Sequence, residues 1–311
     1  MSATTSLRAR VERYLAERRR LGFDLRSQAY ALHGFARHVQ TIGHHGPLTV
    51  EIMADWARRL KQLRPFTRWL QQFEPRTEVP DDAIFGRLPE RQAPHIYSEG
   101  EIVDLLAAAR RLGPTSGLRG IIFETLFGLI ASTGLRISEA LALHIENVDL
   151  TRGMLTIHQT KFAKSRQVPM HHSTIKSLRR YRSARDLSGE STQANAPFFI
   201  GTRGRRRGLP LGEHQVHRVF AALRKHLGWR NRGSHHAPRI HDLRHSFVVN
   251  RIMRWHIQGI DIDQAMLSLS TYVGHAMVTN TYWYLSAVPE LMGLAAERFE
   301  SFMSQPAASH A

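Results

Sequence analysis

HDLRHSFVVNRIMRWHIQGIDIDQAMLSLSTYVGHAMVTNTYWY, residues 241–284, is the stretch whose reading decides both fold and chemistry. It opens His241-Asp242-Leu243-Arg244, passes Gly274-His275, and closes on Tyr284, nine residues after that second histidine. His241 and Arg244 stand three apart, so a helix starting near Ile240 places them on one face. Leu243, Phe247 and Val248 continue that helix as an apolar run. The pair alone is a weak signal, because the chain holds 19 histidines and His236 with Arg239 repeats the spacing. That earlier pair is interrupted by Pro238 and lacks the apolar helix after it, which favours His241 and Arg244.

The residue types point to phosphate chemistry. Without a metal, such chemistry needs cations around the non-bridging oxygens, a proton shuttle and a nucleophile. A second arginine lies upstream in Thr133-Gly134-Leu135-Arg136-Ile137-Ser138-Glu139. Two arginine forks suit a phosphodiester, since each donates two parallel hydrogen bonds. Tyrosine has a pKa near 10, so Tyr284 needs a base or nearby cations to act as a nucleophile at neutral pH. Lys161, in the connection between two strand-like stretches, is placed to donate a proton to a leaving oxygen. Lys164 is its neighbouring competitor. Tyr282 competes with Tyr284, and the interval from His275 favours Tyr284.

Working outward, residues 6–22 read as a basic helix with Gly22 at its end, and Ser27 to Thr41 as a second. Thr49 caps a third, through Trp56 to Leu60, and Phe66 to Phe73 makes a short fourth. Residues 1–85 are thus expected to form a small helical domain and Gly86 to Tyr97 a linker, with residues 98–311 a second domain. Ser98-Glu99-Gly100-Glu101 has capping-box spacing at its first helix. Leu118 to Ala131 is an apolar helix ending in the Thr133-Gly134 turn. Met154 to Gln159 and Arg166 to Met170 read as antiparallel strands, Phe198 to Ile200 as another short strand, and Leu211 to Leu227 as a helix. The fold class is mainly α with a small antiparallel sheet. An amphipathic helix from about residue 289 closes the chain, docking on its own domain or on a neighbour.

With these residues in hand, the second domain resembles the catalytic domain of the tyrosine recombinases, or phage-type integrases. Arg136 matches that family's first arginine, Lys161 its hairpin lysine, and His241 and Arg244 its central pair. His275 matches the second histidine and Tyr284 the nucleophile, with Glu139 supporting Arg136 from behind. The resemblance implies site-specific recombination that integrates or excises a mobile element through a 3′-phosphotyrosyl intermediate. It implies double-stranded DNA with inverted-repeat core sites, a synaptic tetramer and no cofactor or metal. The N-terminal domain looks like the helical core-binding module, though Thr49 to Phe73 is short against that pattern. A second departure is the long Arg244–His275 interval, with extra residues around Arg254 to Asp263. The Thr281-to-Ala287 ending with Pro289-Glu290-Leu291 looks like the recombinases of multi-recombinase elements (recombinase-in-trio), which implies sister recombinases.

Charge agrees with that reading. A net charge of +17 over 311 residues points to a polyanionic partner, most simply nucleic acid. Arg18, Arg19 and Arg20, Arg203, Arg205, Arg206 and Arg207, and Lys164 with Arg166 are candidate phosphate contacts, and His214 and Arg218 candidate groove contacts. No cysteine occurs, which removes disulfides and thiol nucleophiles. No apolar run approaches the ~20 residues that span a bilayer, so a cytoplasmic, nucleoid-associated protein is expected. The competing functions are relaxation of DNA in the manner of a type IB topoisomerase, a non-catalytic DNA-binding partner, and a metal-dependent nuclease. The last lacks an acidic cluster with ligand spacing.

Overall fold

Contacts along the chain build two units, whose described residues run from 6 to 91 in the first and over 92–158 and 165–293 in the second. The computed structural model describes residues 6–54, 56, 60–80, 91–113, 117–158, 165–275, 277–287 and 291–293.

In the first unit, α1 (Leu7–Arg20) begins at Ser6, whose hydroxyl accepts the Ala9 amide at 3.3 Å and satisfies an otherwise orphaned donor. Gly22, at φ +82°, turns the chain toward α2 (Arg26–Thr41). Two further helices follow, α3 (Val50–Ala54) and α4 (Leu60–Leu70). Leu15, Leu32, Phe35, Leu63 and Phe66 are fully shielded and form the shared core. α4 starts six residues before the expected Phe66, with Pro65 inside it. A proline ordinarily marks a helix start, so the turn before it was hidden. Trp56 lies in a turn, and residues 55 and 57–59 of the expected third helix lie outside the described residues.

The second unit is built around α6 (Leu118–Thr133), apolar on nearly every side and packed against α5 (Glu99–Arg110), α8 (His172–Leu187) and α10 (Ile240–Ile257). A helix of that composition is stable only when enclosed. The short helix α7 (Ile137–Leu141) follows α6. Then comes an antiparallel sheet of β1 (Val148–Asp149), β2 (Met154–Ile157) and β3 (Arg166–Pro169), with Val148 opposite Leu155 and Ile157 opposite Arg166. Phe198 to Ile200, expected as a short strand, is buried but forms only isolated bridges. Its bridges run through Pro197 and Pro210, which have no amide to extend a ladder. α9 (Glu213–Leu227), α11 (Ile262–Val273) and α12 (Thr279–Ala287) complete the described helices.

The expected linker is not a solvated spacer over its second half. The Tyr97 amide donates to the Ser246 hydroxyl at 2.7 Å, its phenol donates to the Arg239 carbonyl at 3.1 Å, and the Ser234 amide donates to the Ala93 carbonyl at 2.9 Å. The buried His95 packs on the buried Tyr97, which packs in turn on Trp229, so aromatic packing outweighs the loop-like composition. The extra length after Arg244 carries α10 on to Ile257. The chain then turns at Gly259 (φ +67°), and the Asp261 carboxylate accepts the Asp263 amide to start α11. Residues 288–290 and 294–311, which hold most of the expected C-terminal helix, lie outside the described residues. Among the described residues, no helix is long and apolar enough to cross a membrane.

Candidate active site

The turn between α6 and α7 sets the first arginine. Gly134 sits at φ +66°, and a Cβ there would lie 2.6 Å from the Phe247 ring of α10. Only glycine allows this close approach. Arg136 follows, with its Nη1 donating to Glu139 Oε1 at 2.8 Å, its amide donating to Glu139 Oε2 at 3.0 Å, and its Nη2 donating to the Gly274 carbonyl at 2.9 Å. The fork is therefore aimed before any substrate arrives.

Glu139 is gripped from the other side by Arg166. Arg166 Nη1 and Nη2 donate to its two oxygens at 3.1 and 2.9 Å. The same guanidinium donates to the carbonyls of Tyr272 at 2.9 Å and Val273 at 3.3 Å. Burial alone would raise the Glu139 pKa, but Arg166 and then Arg136 hold it below the ordinary carboxylate range. Arg166 was expected on a DNA-facing surface. Instead its guanidinium turns inward, where Glu139 and the last two carbonyls of α11 satisfy its fixed donors.

α10 supplies the next residues. Arg244 is 2% exposed, and its Nη1 donates to the Gly134 carbonyl at 2.6 Å. Its Nη2 is buried without a hydrogen-bond partner. Burial and then the nearby Arg136 charge lower its pKa to about 10, so it stays cationic at neutral pH. His241, one turn earlier, keeps an exposed edge. The protein mass beneath the ring, then Arg244 and Arg239, lower its pKa to about 4, so it is neutral in the free protein.

Tyr284 is fully buried on α12. Its hydroxyl lies 2.6 Å from Nδ1 of His245, itself buried, and its ring stacks on His275 at 6.4 Å and 15°. His275 is oriented by a 2.7 Å contact between Nδ1 and the Thr281 hydroxyl. Tyr282, the competing tyrosine, turns outward and is 37% exposed. Arg136, Arg244, His241, His275 and Tyr284 thus occupy one neighbourhood, with Glu139 and Arg166 behind. Lys161 and Lys164 lie outside the described residues.

The other basic candidates are on the surface. Arg19 and Arg20 are exposed, while Arg18 lies over the Phe23 ring at 4.6 Å. Arg203, Arg205, Arg206, Arg207, His214 and Arg218 are all exposed. Arg207 is partly engaged by Glu190 at 3.2 Å. A cleft of about 640 Å³ collects Arg203, Arg206, His214 and Arg218 beside Arg119. Arg119 has a buried Nε with no partner, and burial and then Arg203 lower its pKa. Sequence reasoning missed Arg119, His245 and the inward role of Arg166. His245 directly follows Arg244, and its i, i+4 relation to His241 was the available signal.

The chain matches the phage integrase family over residues 97–290. It is 36% identical to the putative integrase/recombinase y4rB of Sinorhizobium fredii (strain NBRC 101917 / NGR234), over 95% of this chain and 98% of that protein. A second protein of that strain, the putative integrase/recombinase y4rE, is 37% identical over 93% of this chain and 94% of its own length. Among solved structures, the Tn1549 transposon integrase in complex with a circular intermediate DNA aligns with a TM-score of 0.61 at 14% identity, covering 93% of this chain and 99% of that one. XerH site-specific recombinase bound to palindromic difH substrate aligns with a TM-score of 0.59 at 18% identity, over 88% and 79%. At these identities the two structures speak for the fold.

Proposed function

Because this chain belongs to the phage integrase (tyrosine recombinase) family, and is thereby an enzyme that cleaves and rejoins DNA in site-specific recombination, we propose the following division of labour among its residues. Arg136 and Arg244 grip the scissile phosphate. Tyr284 Oη attacks phosphorus, and Lys161 protonates the departing 5′-oxygen. His241 and His275 contact the non-bridging oxygens as charge develops. The product is a 3′-phosphotyrosyl ester, which a 5′-hydroxyl of a second strand attacks to restore Tyr284.

One observation carries this reading. Arg244 is buried, is destabilised by the Arg136 charge, and leaves Nη2 without a partner. A buried cation and a half-exposed one that repel one another call for an anion between them. A phosphodiester supplies both the charge and the acceptor oxygens. The forks then act chiefly on transition-state charge. Arg136→Ala and Arg244→Ala should each lower cleavage about 100-fold or more while changing DNA affinity only a few-fold. Equal losses of cleavage and affinity would make them anchors rather than catalysts.

DNA is the partner on this reading. The first unit serves as the core-binding module, the inverted-repeat site is bridged by a tetramer, and the chain acts at the nucleoid on a mobile element. Membership of a multi-recombinase set is supported by the sequence ending around Tyr284 and by two nearly full-length relatives from a single strain. Analytical ultracentrifugation on a bound duplex tests the tetramer, and recombination by this chain alone would remove the need for sister proteins.

A further inference from the structure

Making the phosphotyrosyl ester requires a home for the phenolic proton, and the assignments above leave none. The Tyr284 Oη–P bond forms and the P–O5′ bond breaks. The 5′-oxygen gains a proton from Lys161, and the Tyr284 oxygen must lose one. We propose that His245 is a further catalytic residue, accepting that proton at Nδ1 during cleavage and returning it when the strand is rejoined. The inference rests on the recombinase reading of Tyr284.

The geometry is specific. His245 Nδ1 stands 2.6 Å from the Tyr284 hydroxyl, within the reach required of a general base. Both side chains are buried, at 5% and 0% exposure, so bulk water does not mediate the transfer. Nδ1 accepts the phenol when the ring proton sits on Nε2, which is the tautomer that the step uses. The groups facing the pair are His241 and Arg244 from the same helix, Trp283 from α12, and His275 stacked on Tyr284. His241 lies edge-on to His245 with ring centres 4.7 Å apart. Arg244, whose charge interacts with Tyr284, favours the phenolate that forms. The proton therefore leaves toward His245 on α10, the residue next to Arg244.

The test uses the full chain and nicked duplexes enriched from a randomised pool for covalent capture by the wild-type protein. His245→Asn keeps an acceptor near the Nδ1 position but cannot take the proton. It should form the adduct about 100-fold more slowly or worse, with DNA affinity preserved. His245→Ala should be equally slow, and added imidazole should restore it increasingly with pH. A duplex with sulfur at the bridging 5′ position, whose thiolate leaves unprotonated, should rescue Lys161→Ala but not His245→Asn. Wild-type rates in His245→Asn, or no imidazole rescue of a DNA-binding His245→Ala, would overturn the proposal. Faster capture by either variant would make His245 a resting latch instead, and would equally overturn it. Failure of the wild-type chain to capture any duplex would instead sink the recombinase reading.

Discussion

Gly274 is a residue at which one added methyl group would reach the site directly. It lies at φ +70°, its carbonyl accepts from Arg136, and a Cβ would stand 2.6 Å from the Arg166 guanidinium. Gly274→Ala should cost about 1–2 kcal/mol of stability through backbone strain alone, read by urea unfolding. It should cost cleavage more, because Arg166 must leave Glu139 and Arg136 loses its aim. Normal cleavage with lowered stability would separate Gly274 from the site. Arg166→Lys tests the same support. A point-charge ammonium cannot fork across both Glu139 oxygens, so cleavage should fall while surface-driven DNA affinity holds. His241 gives a pH signature. Its pKa falls from the ordinary 6.5 to about 4 in the fold. Between those values the unfolded chain binds the proton and the folded chain does not, so stability rises with pH across this window and is lost as pH falls. His241→Gln should flatten the Tm-against-pH curve between pH 4 and 6.5. An unchanged slope would assign it to other groups.

At the scale of elements, α10 carries Arg244 and His245 and also anchors the chain entering the second unit. Ser246 accepts the Tyr97 amide at 2.7 Å and donates to the Asp242 carbonyl at 2.9 Å, both within the interior. Ser246→Ala should cost about 1–3 kcal/mol, because a buried amide loses its acceptor. The Tyr97 amide should exchange faster with solvent. Unchanged exchange would show that the segment is held by aromatic packing alone. α10, the Thr133-Gly134 turn and the β2–β3 pair were legible from sequence, since each has a local signature of periodicity, glycine or alternation. α8 was not. Its charged residues dilute the buried stripe of Leu178, Tyr181 and Arg185. The segment before α5 was misread because prolines and charges mask a tertiary contact with residues some 140 positions away. The motif residues Arg136, His241, Arg244, His275 and Tyr284 carry the family resemblance, and the fold brings these five into one neighbourhood. Arg166 and His245 could not be given roles that way, because those roles depend on which neighbour each faces.

For the whole molecule, a net charge of +17 and an exposed basic cleft around Arg203, Arg206 and Arg218 support the proposal that phosphate contact supplies the affinity. If about six phosphates are engaged, log affinity should fall against log salt with a slope near roughly −5. A flat dependence would contradict the electrostatic footprint. The chemistry itself is tested most directly by trapping the wild-type chain on a nicked duplex in the presence of EDTA. Mass spectrometry of the covalent product should place the DNA on Tyr284, and Tyr284→Phe should give no adduct. Cleavage without a protein–DNA adduct, or an adduct that survives Tyr284→Phe, would contradict the account.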